Sequence, residues 1–169
     1  MRQIRNLVSR GVVSLVNAGS KMQSLQMRLT ADEVKDGMEH FEPYGFTAHP
    51  HAGAEGIALF FGGDRSHGVV INVANRQFRV VELEAGEVAI YTDEQDTLVF
   101  KRGNVVELTT KTFKVNAETA VEFTTPEIRT TGRIVSVGDQ VAAGISQINH
   151  KHDGVTPGDK LTGKPQGGA

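Results

Sequence analysis

The chain has 169 residues and is nearly neutral, with 18 lysines and arginines against 20 aspartates and glutamates. This balance argues against nucleic acid as the main partner, because a phosphate-binding surface needs a clear excess of positive charge. The absence of cysteine excludes disulfides, zinc ribbons and thiol catalysis. No apolar run approaches the roughly 20 residues that cross a bilayer, and residues 1–5 do not begin a signal peptide. We therefore expect a soluble protein that is assembled in the compartment where it is made.

Five strands are predicted in the first 95 residues. Residues 10–16 are rich in β-branched side chains, and 22–29 alternate as a strand with a bulge would. The continuous apolar run 56–61 is typical of a strand buried on both faces, and 67–73 returns after a glycine-rich turn as its partner. Residues 87–91 close the group. Five strands in this length predict a small Greek-key barrel of the OB type.

From residue 96 onward the sequence changes to short units with one to three apolar residues each, separated by Thr, Lys or Glu. The units recur every 7 to 9 residues, a spacing that is too short for a barrel strand with its loop. It resembles the repeat of a β-solenoid or β-prism. The units are 98–100, 105–108, 113–117, 121–123, 128 and 134–135.

Such units are too small to be stable in a single chain. Burial of one apolar side chain contributes about 1.5–3 kcal/mol, whereas ordering each residue costs about 1–2 kcal/mol. Three copies wound about one axis would form a shared core and remove exposed strand edges. An extended sheet packed on another protein would serve equally well. We predict an all-β chain with a docking barrel at 1–95, an intertwined trimeric needle at 96–148, and a tip with a return segment at 149–169.

Two histidines near the end of the sequence, His150 and His152, form a His-x-His pattern. On an extended backbone both imidazoles project from one face, about 6.5–7 Å apart at Cα, and can reach one metal ion. An exposed pair without a ligand is the alternative. If three chains converge here, six neutral imidazoles form an octahedral all-nitrogen site, which suits iron or nickel better than tetrahedral zinc.

A second His-x-His pattern favours a different function. His49, His51 and Glu55, followed by Gly62, match the first motif of cupins, metal-binding β-barrels that are often oxygenases. The later histidine that cupins require would be His67, which follows Gly62 too closely. A cupin-like metal-dependent oxygenase is therefore the alternative function, and a surface loop before a buried strand is the main interpretation of His49 and His51.

The segment Asp64, Arg65, Ser66 and His67 brings together residue types that occur in hydrolases. Within one tight turn these side chains fan outward and cannot converge on a substrate, so we predict a solvated hairpin tip. The sequence shows no phosphate loop, nucleophile elbow or separated carboxylate pair. We therefore predict a protein without catalytic residues.

Charge is unevenly distributed at the start of the chain. Residues 1–28 contain basic side chains and no acid. They form either a solvated face or a basic surface that docks on a larger partner, with Arg2, Arg5 and Arg10 as the candidate contacts.

Several of these segments together resemble the Mu-like phage baseplate assembly protein V family, the central spikes of contractile tails. The matching segments are 10–13, 43–47, 62–70, 86–89 and the ending from His150 to Pro165, with its glycines, Thr162 and Gly163. The resemblance covers nearly the whole chain.

This resemblance implies an OB-fold domain seated on the baseplate hub protein, a trimeric β-helical needle, and one iron ion per trimer bound by His150 and His152 of three chains. It includes no lysozyme domain, which implies mechanical piercing of the host outer membrane. The protein would belong to the virion, in the tail baseplate, after assembly in the host cytoplasm. Phage-tail-like bacteriocins share this architecture, so a phage, a tailocin and a prophage remnant remain alternatives.

Overall fold

The computed structural model describes residues 7–30, 33–154 and 158. Within them the regular structure is β-strand, apart from short 3₁₀ turns such as Phe61–Gly63, so the predicted all-β class is confirmed. Two compact units divide between Val115 and Asn116. No helix in the described part is long and apolar enough to cross a membrane. The strands are β1 (Val8–Asn17), β2 (Ser24–Arg28), β3 (Val34–His40), β4 (Glu55–Phe60), β5 (Gly68–Ala74), β6 (Val88–Tyr91), β7 (Thr97–Lys101), β8 (Val105–Thr109), β9 (Val141–Ala142) and β10 (Ile145–Ser146).

The first five strands form a closed barrel in the order β1-β2-β3-β5-β4, which confirms the predicted five-stranded barrel. Strand β1 pairs antiparallel with both β2 and β4, so the sheet has no free edge at this strand. Strand β3 pairs parallel with β5, which lies between β3 and β4. The β1–β2 and β2–β3 ladders each contain a register shift, and such shifts raise the local twist that a closed barrel needs.

Alternating apolar residues fill the barrel because successive side chains of a strand point to opposite faces. The largest fully buried side chains are Val13, Leu25, Met27, Phe60 and Val70, each at 2% or less. Burial of each contributes about 1.5–3 kcal/mol. The barrel therefore has a core of its own and needs no second chain to cover it.

Three expectations about the barrel strands are wrong. Strand β3 was missed, since its sequence is rich in charge and only Met38 and His40 are buried in it. The predicted strand at 87–91 does not close the barrel but pairs with β7 in a separate sheet. Strand β4 is buried on one face only: Ala58 and Phe60 are enclosed, whereas Leu59 between them is half-buried.

The separate antiparallel sheet β6–β8 has one uniformly apolar face. Directly paired residues of antiparallel strands point to the same side. Here the pairing aligns apolar residues across all three strands, and five of the six are between 44% and 59% exposed. The residues of this apolar face are Val88, Ile90, Leu98, Phe100, Val106 and Leu108.

Residues 110–140, all of which the structure describes, form no strand or helix within the chain. Their side chains are exposed up to residue 139, including Phe113 at 69% and Phe123 at 70%. The predicted units at 98–100 and 105–108 lie in β7 and β8. The later units, from 113 to 135, pair with no other strand in the part of the chain that the structure describes.

The same segment bends at regular intervals. Bends fall at 118–119, 125–126, 131–132 and 137–138, six to seven residues apart. Hydroxyls fix the last three, because Thr125, Thr130 and Ser136 each donate a hydrogen bond to the carbonyl oxygen two residues later. The chain from 112 to 139 is therefore a series of short segments of similar length, each carrying exposed apolar side chains.

Candidate metal centre

The predicted metal ligands follow a short hairpin at the end of the described chain. Strand β9 pairs with β10, and the two residues between them, Ala143 and Gly144, have φ angles of 49° and 80°. Positive φ at both central residues is the type I′ turn that two-residue hairpins prefer. The backbone N–H of Gln147 donates to the carbonyl of Gln140 at 3.0 Å and extends the pairing.

A second turn carries the chain from β10 to His150. The carboxylate of Asp139 accepts the backbone N–H of Ile148 at 3.1 Å, and the Ser146 hydroxyl accepts the N–H of Asn149 at 2.8 Å. A hydrogen bond from the Ser146 hydroxyl, together with weaker ones from nearby backbone N–H groups, holds the pKa of Asp139 below its usual value against the opposing effect of burial. Asp139 is therefore ionised at neutral pH and ties the hairpin to the turn after it.

The same turn fixes the tautomer of His150. Its ring nitrogen Nδ1 lies 3.0 Å from the carbonyl oxygen of Ser146 and 3.2 Å from that of Gln147. A carbonyl oxygen only accepts, so Nδ1 must carry the proton and donate it. In the neutral ring the lone pair is then on Nε2. Histidines that bind metals commonly donate their other N–H to a carbonyl in this way.

His150 and His152 are brought together as predicted. Their ring centroids are 5.1 Å apart in an edge-to-face arrangement, and both side chains are exposed. Among the described residues no group of three or more His, Cys, Asp or Glu could hold a metal ion. One chain therefore offers two imidazoles here, which is fewer than a structural metal site requires. Most of the predicted return segment, residues 155–157 and 159–169, lies outside the described residues.

The cupin-like residues do not form a second centre. His49 and His51 are exposed in the loop before β4, where the sequence predicted a surface loop. The Nε2 atom of His51 is 3.1 Å from a carboxylate oxygen of Asp93. Glu55 pairs with Arg10 and Arg76, and His67 packs against the ring of Phe61. The cupin-like alternative finds no support in this arrangement.

The turn Asp64–His67 is only partly the solvated tip that the sequence predicted. Ser66 donates to Asp64 from its backbone N–H and its hydroxyl, and these bonds hold the pKa of Asp64 below its usual value. Arg65, however, reaches back to the barrel. It donates three hydrogen bonds to the carboxylate of Glu33 and one to the Ser9 hydroxyl at 3.0 Å, with its guanidinium 4.4 Å from the centre of the Phe60 ring. The turn is therefore tied to the barrel through Arg65.

Sequence reasoning missed Asp139 and Ser146. An aspartate and a serine seven residues apart give no signal by spacing alone. Gly144 marks a turn, but the Ala-Gly pair at 143–144 is not one of the pairs typical of a two-residue hairpin, so the sequence gives little signal for this contact.

Two known families match the chain. The family described as "Bacteriophage Mu Gp45, N-terminal" matches residues 10–77, which contain the barrel. The family described as "GpV Apex motif" matches residues 144–166, which contain His150 and His152.

Two relatives match most of the chain. The protein named "Mu-like prophage FluMu protein gp45", from Haemophilus influenzae, is 35% identical over 163 residues, 90% of this chain and 89% of the relative. The protein named "Baseplate puncturing device gp45", from Escherichia phage Mu, is 33% identical over 134 residues, 79% of this chain and 68% of the relative.

Proposed function

The chain belongs to the family of the bacteriophage Mu gp45 baseplate proteins, and we propose that it is the central spike of a contractile tail, a trimeric needle that pierces the host outer membrane. The spike is a structural component of the virion, located in the tail baseplate. It acts by mechanical force and requires no catalytic residue. The trimer is supported by the apolar surface that follows the barrel, which stays exposed in a single chain.

This surface has two parts. The apolar face of the β6–β8 sheet presents six aligned side chains, and the segments between the bends at 118–138 add further exposed apolar residues. The barrel buries its own core, whereas Val99 is the only apolar residue that is buried among the described residues after the barrel. Large contiguous apolar surfaces mark interaction sites, and backbone groups without partners in one chain need them elsewhere.

A second copy of the chain, repeated by threefold symmetry, is the partner proposed for this surface. The bends recur every six to seven residues, so each copy offers the same short segment at each level of a needle. Three equivalent segments form a closed ring of strands around one axis and leave no edge, whereas a dimer would leave its edges open.

The tip is the place where the same symmetry completes a metal site. Each chain brings two imidazoles whose ring centroids are 5.1 Å apart, and the Nε2 atom of His150 is left free for a ligand bond. Three chains bring six, which matches octahedral iron. Six protein ligands leave no position for water or substrate, so the ion would stabilise the chain ends without catalysing a reaction.

The barrel is the proposed docking domain on the baseplate hub. Of the basic residues suggested as contacts, Arg2 and Arg5 lie outside the described residues. Arg10 forms an ion pair with Glu55, which Arg76 shares at 2.5 Å, and its side chain stays 60% exposed. It can therefore still meet a partner through the exposed part of its guanidinium.

We expect the purified full-length protein to have a mass of about 55 kDa in solution, three times the chain mass of 18.2 kDa, and one iron ion per trimer. Light scattering and elemental analysis of the same sample measure both quantities. His150→Ala and His152→Ala should each abolish iron binding and leave the trimer intact, because the apolar surface remains. His49→Ala and His67→Ala are matched controls that should keep the iron.

Different failures contradict different parts of the proposal. A stable monomer or dimer with intact β-structure would exclude the trimeric needle. One metal ion per chain, or iron retained by both tip variants, would exclude the tip site. Loss of iron from His49→Ala or His67→Ala would favour the cupin-like oxygenase instead.

A further inference from the structure

We propose that Asp139 is a positioning residue for the tip metal site, acting on His150 through the turn that joins β10 to it. This inference rests on the proposed metal site, but it concerns a residue that neither the His-x-His pattern nor a ligand count identifies. Asp139 precedes His150 by eleven positions, and its carboxylate accepts the backbone N–H of Ile148.

Asp139 contacts the backbone of the turn that leads to His150. Its Oδ1 accepts the backbone N–H of Ile148 at 3.1 Å. Asp139 also directly precedes Gln140, whose carbonyl accepts the N–H of Gln147 at 3.0 Å. The carboxylate therefore continues the β9–β10 pairing by one further bond, beyond the last residue pair of the ladder.

The bond between Asp139 and the Ile148 N–H fixes the turn that follows the hairpin. Past Ser146 the backbone leaves the hairpin and turns, and the N–H of Ile148 would otherwise point to solvent. A bond to a charged acceptor is stronger than a bond between neutral groups. With Ile148 tied to Asp139, the carbonyl oxygens of Ser146 and Gln147 are held on the side of the turn where His150 lies.

The turn in its fixed form orients the imidazole of His150. The Ser146 carbonyl accepts both the backbone N–H of His150, at 3.2 Å, and its Nδ1–H, at 3.0 Å. These two bonds orient the ring and select the tautomer with its lone pair on Nε2. Under threefold symmetry the three equivalent imidazoles bind one ion through the same nitrogen. A turn that loosens would return each ring to a mixture of tautomers and orientations.

The test compares three variants of the full-length protein after removal of metal with a chelator. Asp139→Ala removes the acceptor, whereas Asp139→Asn keeps one oxygen that can accept the Ile148 N–H. Asp153→Asn is the control for charge, because it removes one negative charge close to the same histidines. Each protein is titrated with ferrous iron, and its mass is measured by light scattering.

We expect Asp139→Ala to bind ferrous iron about 10-fold more weakly, at the lower end of the range for residues that orient a ligand. Asp139→Asn should recover most of the affinity, and Asp153→Asn should match the wild type. Nitrogen-15 NMR of labelled histidine in the metal-free proteins gives a second measurement, with the His150 signals identified by their loss in His150→Ala. The wild type should show a protonated Nδ1, and Asp139→Ala a mixture of tautomers.

Each contrary result overturns a defined claim. Unchanged affinity and tautomer in Asp139→Ala would exclude the positioning role and leave the metal site standing. An equal loss in Asp153→Asn would show a charge effect alone, and dissociation of the Asp139→Ala trimer would show a role in assembly; both exclude positioning. A wild-type protein that binds no ferrous iron would overturn the metal site itself, and the positioning role with it.

Discussion

Arg65 connects three parts of the barrel that are distant in sequence. Its guanidinium bonds to Glu33 just before β3 and to Ser9 in β1, and it lies over the Phe60 ring at the end of β4. The hydrogen bond from Arg65 is the main reason that the pKa of Glu33 lies below its ordinary value of 4.5, with a smaller contribution from Lys35 against the opposing effect of burial. The side chains are 23% and 29% exposed, so solvent screens the pair only in part.

We expect Glu33→Gln to lower the free energy of unfolding at pH 7 by about 1 kcal/mol, because the charge-assisted bonds to Arg65 are lost. A lowered pKa in the folded state stabilises the protein above pH 4.5, and this stability is lost as pH falls through the folded-state pKa. The variant should therefore lose less stability than the wild type below pH 4.5. Denaturant unfolding from pH 7 to pH 3 measures both effects.

Glu39→Gln is the control for Glu33, since Glu39 is an exposed carboxylate in the same part of the barrel, on β3. It should leave the acid dependence unchanged. Equal acid sensitivity in the wild type and Glu33→Gln would show that the pair with Arg65 does not contribute to stability.

At the scale of elements, the β6–β8 sheet is the part whose two faces differ most. One face carries six aligned apolar residues, and the other carries the ion pair of Lys101 and Glu107 at 2.9 Å. Two adjacent valines of β8 lie on opposite faces of the sheet and are similarly exposed: Val105 is 50% exposed and Val106 is 57% exposed. Exposure in one chain therefore does not distinguish them, but the proposed trimer does.

We expect Val106→Asp to weaken the trimer and Val105→Asp to leave it nearly unchanged. In the proposed needle the apolar face is buried between copies, and an unpaired carboxylate placed there costs several kcal/mol of desolvation. Light scattering at decreasing protein concentration measures the effect, with dissociation of Val106→Asp at concentrations where the wild type stays trimeric. Identical behaviour of the two variants would mean that this face is not the interface.

At the scale of the whole molecule, the barrel is stabilised within one chain, whereas the segment after the β6–β8 sheet is proposed to be stabilised by other copies. The barrel has a closed sheet and a buried core, whereas residues 110–139 are exposed throughout in one chain. The stability of the barrel should therefore not depend on protein concentration, whereas the stability of residues 110–139 should increase with it.

We therefore expect unfolding of the full-length protein to depend on protein concentration. A folded trimer in equilibrium with unfolded chains gains stability as the total concentration rises. The midpoint of denaturant unfolding, followed by the circular dichroism of the strands, should increase over a 100-fold range of concentration. Val106→Asp should show a smaller increase, and a midpoint that is constant for the wild type would contradict an obligate trimer.

The sequence by itself predicted the all-β class, the barrel and the pairing of the two terminal histidines, because each depends on local patterns. Alternation at 10–16 and 22–29 marks strands with one buried face, and His-x-His places two rings on one side where the backbone is extended. These signals are carried by residues within a few positions of each other.

Only the tertiary structure decided which strands closed the barrel and what the charged residues did. Strand β3 has too few apolar residues to be recognised, and its place is set by pairing with β2 and β5. Arg65 meets Glu33 through folding of distant segments, and Asp139 meets Ile148 across the β9–β10 hairpin; residue spacing alone encodes neither contact. A pattern of apolar residues determines which face is buried, whereas a hydrogen bond between distant residues depends on the complete backbone path.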